Sequence, residues 1–306
     1  VQDRKEIGDQ VTSKELVQKT VLGWSGRLAA HEISYNGDGH VHRAIPYNPT
    51  TPAVALQKAQ LMQSDGVDIC ICTWQGPWAE SCNAAAIAML AACEQVGLQF
   101  ALLLDPGGMQ KWLANQSQAT ITDNVIAALQ AVSTVQMIDS PAYVPERWVL
   151  DFNTGANLST LKTALPSLTF LEQGAGFSWI SIPAITDSTA RNTAAVANLK
   201  TQHANPAMKI ASFCKSFDDS GQPLPTGVQS QSAFDAAGGV RNLTNSVWSG
   251  PARILESFAG QFSLQQLATI NPATPVIAIL TWSDYDEQSS GPREKVVAEE
   301  QGIVWL

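Results

Sequence analysis

Near its end the chain carries two acids three positions apart, Asp284 and Glu287, just beyond the uncharged run Pro275-Val276-Ile277-Ala278-Ile279-Leu280. A buried strand that delivers its last residues to a working surface reads this way. Two carboxyl groups at a strand-to-loop exit can face one small volume. Glycoside hydrolysis needs such a pair, one acid protonated and the other ionised. Trp282 and Tyr285 flank the pair and offer flat faces on which a sugar ring can pack.

A second group of candidates shares that kind of position. Trp24, Trp74, Asp105 and Asp151 each follow a short apolar run, and His40 lies in a long loop rich in Gly, His and Tyr. Carboxylates accept hydrogen bonds from sugar hydroxyls, so these residues are expected to contact substrate. Asp105 and Asp151 also fit a turn-pinning role, because Asp before Pro or near Asn is ordinary turn chemistry. His40-Val41-His42 resembles the way metal-dependent amidohydrolases begin their metal site. Only His31 and His203 remain to complete such a centre, so no metal is expected. There is no Gly-x-Ser-x-Gly for a serine nucleophile and neither a P-loop nor Gly-x-Gly-x-x-Gly for a nucleotide, and no cofactor is expected.

The elements that must position these groups alternate. Thr51 and Pro52 open a helix that Gly66 closes, and Val67 to Thr73 is strand-like before Trp74-Gln75-Gly76-Pro77-Trp78. Asn83 to Val96 is an Ala-rich helix ended by Gly97, followed by a strand at Phe100 to Leu104. A helical stretch from about Ile121 to Val135, a strand at Trp148 to Leu150 and a helix at Leu158 to Leu165 come next. Then come a strand at Phe177 to Ile182, a helix at Thr189 to His203 and a strand at Met208 to Phe213, and Arg253 to Ile270 is helical before the last strand. Val21 to Trp24 is expected to be the first strand, and Leu168 to Leu171 or Leu243 to Trp248 the hardest one to find. Strand followed by helix, repeated without a linker, predicts one α/β domain over 21–306. It is a single (β/α)8 TIM-type barrel with irregular later repeats, in which residues past the strand C-termini meet at one mouth. Residues 1–20, polar with scattered apolar positions, form an arm that can reach an assembly partner.

With 18 basic and 27 acidic residues among 306, the net charge of −9 argues against nucleic acid or an anionic membrane as partner. No apolar run approaches the roughly 18 to 20 residues of a membrane helix. Few charges and nine Trp suit an extracellular or surface-associated carbohydrate-active protein. The five Cys follow no disulfide or zinc spacing, which leaves buried thiols as the expectation.

Thr281-Trp282-Ser283-Asp284-Tyr285-Asp286-Glu287 resembles the Thr-Trp-Asn-Asp-Tyr-Gly-Glu signature of the fungal α-1,3-glucanases, glycoside hydrolase family 71. It is also similar to the Asn-Glu-Trp-x-Glu motif of the family 99 endo-α-mannosidases and endomannanases. The resemblance implies that Asp284 and Glu287 are the catalytic pair, Asp284 as base and Glu287 as acid. It implies an α-glucan or α-mannan as substrate. The sequence departs from family 71 at Ser283 and Asp286. Thr73-Trp74-Gln75-Gly76-Pro77 resembles the Asp-Trp-Tyr-Gly-Pro segment of related barrels but departs from it at Thr73 and Gln75, so that the acidic residue expected on that strand is absent. These departures favour the alternative of a non-catalytic glycan-binding or structural protein, such as a virion or surface component, on the same barrel.

Overall fold

A computed structural model of the protein describes residues 12–32, 50–105, 116–181, 188–214, 261–280 and 282. Helix α1 (Ser13–Thr20) begins at a reciprocal cap in which the Thr12 hydroxyl accepts from the Glu15 N–H and the Glu15 carboxylate accepts from the Thr12 N–H. It is fastened rather than free. The Ser13 N–H and hydroxyl both donate to the carboxylate of Asp65, Lys14 pairs with Asp68 at 2.7 Å, and Val17 is fully buried. Residues 13–20 therefore belong to the body, and residues 1–11 of the expected arm lie outside the described residues.

The chain then alternates strand and helix. The strands are β1 (Arg27–Glu32), β2 (Ile69–Trp74), β3 (Gln99–Leu104), β4 (Trp148–Asp151), β5 (Thr169–Glu172), β6 (Ile210–Cys214) and β7 (Val276–Leu280). Between them run α2 (Pro52–Ser64), α3 (Glu80–Val96), α4 (Gln118–Gln130), α5 (Val132–Ile138), α6 (Leu158–Ala164), α7 (Ser188–His203) and α8 (Gln261–Leu267). All seven strands join one parallel sheet in the order β5-β4-β3-β2-β1-β7-β6. Phe177 touches both edges, making one bridge to Gln173 just past β5 and another to Ile210 at the start of β6. Among the described residues the expected strand from Phe177 to Ile182 is reduced to that single residue, Ile182 lying outside them, and the run at Leu168 to Leu171 falls on the strand β5. The candidate at Leu243 to Trp248 lies outside the described residues.

The expected first strand is displaced. Val21 to Trp24 forms a turn after α1, with Gly23 at φ +83°, and the strand starts three residues later at Arg27. Trp24 thus stands at the N-terminal end of the sheet, buried, its indole N–H donating to the carbonyl of Thr274 at 2.9 Å just before β7. Gly26 beside it is needed for close approach, because a Cβ there would collide with the Pro275 carbonyl.

Parallel strands covered on both faces read as nearly unbroken burial, and β2, β6 and β7 are buried at every residue. Alternation then divides the side chains. Glu32 meets Lys58 of α2, Trp74 donates to Asn83 of α3, and Cys70 faces Cys93 of α3, so that parity is the helix face. The opposite parity, with Ala29, Ile71, Ala101, Leu150 and Ala278, fills the concave interior. All five cysteines are buried thiols.

The Lys58–Glu32 pair is 2.6 Å long with side chains only 7% and 0% exposed. Removing one partner from a buried pair leaves an uncompensated charge, at a cost of about 3–5 kcal/mol. Lys58→Met is expected to lower stability by that amount in urea unfolding, whereas Lys58→Met with Glu32→Leu restores most of it. Equal stability of the single and the double variant would show that the ion pair does not hold α2 to β1.

Candidate functional site

The C-terminal tips of the strands gather a set of side chains on the interior face. His31, next to last in β1, faces inward because its neighbour Glu32 faces α2. Thr73, next to last in β2, faces inward for the same reason, since Trp74 bonds to α3. The two meet: His31 Nε2 lies 2.6 Å from Thr73 Oγ1. Trp179, two residues past the Phe177 bridge, sets its ring edge-on to His31 at 5.0 Å between centroids and 74° between planes. It also packs against Phe152, past the end of β4, at 4.5 Å. Its backbone is held from behind by Gln202 of α7, whose amide accepts from the Trp179 N–H and donates to the Trp179 carbonyl, each at 3.0 Å. Trp179 therefore reaches from β1 to β4 across the concave face.

Trp282 closes the other flank of His31. Its backbone N–H donates to the His31 carbonyl at 2.6 Å, which locks the exit of β7 to the tip of β1. The indole is fully buried, and neither its Nε1 nor His31 Nδ1 finds a hydrogen-bond partner among the described residues. Burial pushes the pKa of His31 down to about 3, so its ring is neutral around pH 7. At the tip of β3, Asp105 is half-buried, its N–H donating to the Trp74 carbonyl at 3.1 Å, and the Gln75 amide lies 3.5 Å from its carboxylate.

Several residues expected at this mouth are elsewhere. Trp24 is at the opposite end of the sheet. Trp74 is at the correct end but wholly buried on the helix face, so its ring is closed to a ligand. Asp151 shares that helix-face parity, being in register with Leu104 and Glu172. Its carboxylate accepts the Thr154 N–H at 3.1 Å and pins a turn in which Asn153 takes φ 56°. Burial raises the pKa of Asp151, opposed by its hydrogen bonds from Thr154. Asp284, Glu287, Tyr285, His40 and the remainder of the His40-Val41-His42 motif lie outside the described residues. Sequence reading missed His31, Thr73, Phe152 and Trp179. The alternation of Phe177-Ser178-Trp179, with Ser178 bonded to His203 of α7 at 2.9 Å, was the available signal for the last.

A cavity of about 410 Å³ opens near the N-terminal end of the sheet, between Lys14, Gln63, Asp68 and Gln99. Its cations are already engaged, Lys14 with Asp68 and Arg27 with Gln99 and Glu146. It lies at the end away from the tips. Among the described residues no three His, Cys, Asp or Glu side chains gather to hold a metal, and no helix is long and apolar enough to cross a membrane.

A parallel sheet with helical cover, whose polar and aromatic residues meet past the strand C-termini, is the α/β framework of barrel enzymes. No protein-family profile matches the sequence, and no curated protein matches it. Solved structures do. The glycoside hydrolase family 99 endo-α-mannosidase of Bacteroides thetaiotaomicron in complex with BIS-TRIS-propane aligns at TM-score 0.58 with 12% identity, over 87% of this chain and 87% of that one. A second structure of that endo-α-mannosidase aligns at 0.54 with the same identity and coverage. A glycoside hydrolase-like protein aligns at 0.51 with 8% identity, over 90% and 91% of the two chains. The chain has a family 99-like fold, in agreement with the resemblance carried by Thr281 to Glu287.

The buried histidines make stability depend on pH. His203, whose Nε2 meets Ser178 and whose Nδ1 meets Thr269 at 2.8 Å, has its pKa lowered to about 4 by burial. The unfolded chain takes up these protons near pH 6.5, whereas the folded one resists until about 4 for His203 and about 3 for His31. Stability from this source is complete above pH 6.5 and falls with acidification, by about 1.4 kcal/mol per pH unit for each histidine. Asp151, with its pKa raised, opposes the loss at the acid end. Urea unfolding of His203→Gln between pH 6.5 and 4 is expected to give a shallower slope than wild type, and an unchanged slope would remove His203 from the account.

Proposed function

We propose that the protein is a glycoside hydrolase that cleaves an α-linked polysaccharide, an α-glucan or α-mannan, at the C-terminal mouth of a complete (β/α)8 barrel. Phe177 and its neighbours serve as the eighth stave between β5 and β6. Asp284 and Glu287 are the catalytic pair, with Asp105, His40 and Tyr285 contributing to the substrate site, whereas the Trp282 ring, expected to stack on sugar, is fully buried and serves as an anchor instead. The observation that carries this reading is Trp282. Its N–H bond to the His31 carbonyl holds the β7 exit among the strand tips, and Asp284 follows two residues later. A chain spans at most about 3.6 Å per residue, so the Asp284 backbone begins within about 7 Å of that anchor.

In this mechanism Glu287 protonates the glycosidic oxygen as the bond to the anomeric carbon breaks. A water molecule supplies the hydroxyl that the anomeric carbon takes. Asp284 stays ionised as the base that accepts a proton, and the carboxylate neighbours of Glu287 favour its protonated form. Neither step asks for a cofactor. An extracellular or surface location fits a polymeric substrate.

A second reading, glycan binding without cleavage, is favoured by one observation. Thr73 and Gln75 stand where the resemblance expects Asp and Tyr, so the acidic residue of that strand is absent, and Thr73 is instead bonded to His31 Nε2 at 2.6 Å. The two readings separate on a panel of α-glucans and α-mannans assayed for reducing ends. Wild type is expected to release ends from one of them, and Glu287→Gln to lose about 10²–10⁴-fold in rate while its melting temperature holds. Undiminished release by Glu287→Gln ends the catalytic assignment, and binding without release moves the protein to the second reading.

A further inference from the structure

His31 is a buried polar side chain with half of its hydrogen-bonding capacity unspent. Its Nε2 is engaged by Thr73 at 2.6 Å, its carbonyl by Trp282, and its ring edge by Trp179, yet Nδ1 has no partner among the described residues although the residue is only 3% exposed. A buried polar atom left unpaired is costly, and its persistence calls for an explanation such as a ligand. The surroundings restrict which one. The residues that touch it, Thr73 and the aromatic rings, carry no charge, and the charged pair of Glu32 with Lys58 lies on the other face of β1.

The tautomer narrows the choice further. If the Thr73 hydroxyl donates to Nε2, then Nδ1 carries the hydrogen and donates. If Nε2 donates to Thr73 Oγ1, then Nδ1 accepts. A ligand hydroxyl satisfies both cases, since it donates and accepts equally well. Resting on the saccharide reading above, we propose that His31 Nδ1 binds one hydroxyl of a neutral sugar seated at the mouth, with Thr73 as the positioning residue that fixes the ring. Trp179 and Phe152 form the apolar wall of that subsite, where the C–H face of a pyranose can pack.

Two isosteric substitutions separate this role from a purely structural one. Asn places a polar atom where Nδ1 stands, and Gln places one where Nε2 stands. Binding is followed by tryptophan fluorescence and by titration calorimetry with α-1,3-glucan and α-mannan tetrasaccharides as probes, on the full chain, with the melting temperature of each variant measured alongside. His31→Asn is expected to keep affinity within about threefold of wild type, and His31→Gln, though it retains the Thr73 contact, to lose about tenfold, the effect of one neutral hydrogen bond. The reverse order, Gln retaining and Asn losing, would show that His31 serves only to tie β1 to β2. Equal affinity of both variants and wild type overturns the proposal and leaves the saccharide reading standing. Failure of wild type to bind any probe overturns both together.

Discussion

The last two residues of β1 leave the strand on opposite faces, and the opposition of His31 and Glu32 governs the rest of the molecule. Glu32 turns outward into a layer from which water is excluded, and Lys58 answers it there at 2.6 Å. That pair sets the height of α2 along the strand. His31 consequently turns inward, at the same level, where Thr73 and Trp179 meet it. A shift of one residue in the register of β1 would exchange the two side chains, placing a carboxylate among aromatic rings and an imidazole against a lysine. Burial of the ion pair thus fixes which chemistry faces the mouth. Its contribution to net stability is secondary to that specification.

The same alternation propagates through the neighbouring strands. In-register partners share a face, so fixing β1 fixes β2, β3 and β4 on one side and β7 and β6 on the other. Trp74 and Asp151 are assigned to the helix layer by that propagation. Thr73 and Phe152 are assigned to the interior, each one position away. A candidate site residue at a strand tip is therefore decided by parity as much as by distance from the strand end.

This explains what could be read from the sequence. The helices α2 and α3 were legible because their signals are local: Pro52 at the first turn, and Gly97 at φ +78° closing α3. The runs of β2, β3, β4 and β7 were legible because burial on both faces leaves uninterrupted apolar stretches. The strand β1 was not. Its sequence, Arg27-Leu-Ala-Ala-His-Glu32, begins and ends with charges and has no β-branched residue. Those charges are answered by Gln99, Glu146 and Lys58, residues 26 to 119 positions away, which no local window contains. Val21-Leu22-Gly23-Trp24 looked more like a strand and is a turn that seats an indole under β7. The fold class survived these displacements because repetition of the unit carries it, whereas the site depends on single-residue parity.

The two ends of the sheet differ in how their polar groups are spent. At the N-terminal end Arg27 gives one arm to Gln99 and another to Glu146 and lies over the Trp148 ring at 5.2 Å, while Trp24 gives its indole N–H to the Thr274 carbonyl. Those donors have found acceptors, although Arg147 Nε, just before β4, is buried without one. At the C-terminal end three ring nitrogens, on His31, Trp78 and Trp282, lie buried without one among the described residues. Water-excluded groups held in fixed orientation by their neighbours have already met their desolvation and ordering costs during folding, so a ligand that completes them gains most of the hydrogen-bond energy. That unmet demand at the strand tips follows from the protein's own packing and is independent of any likeness to other structures.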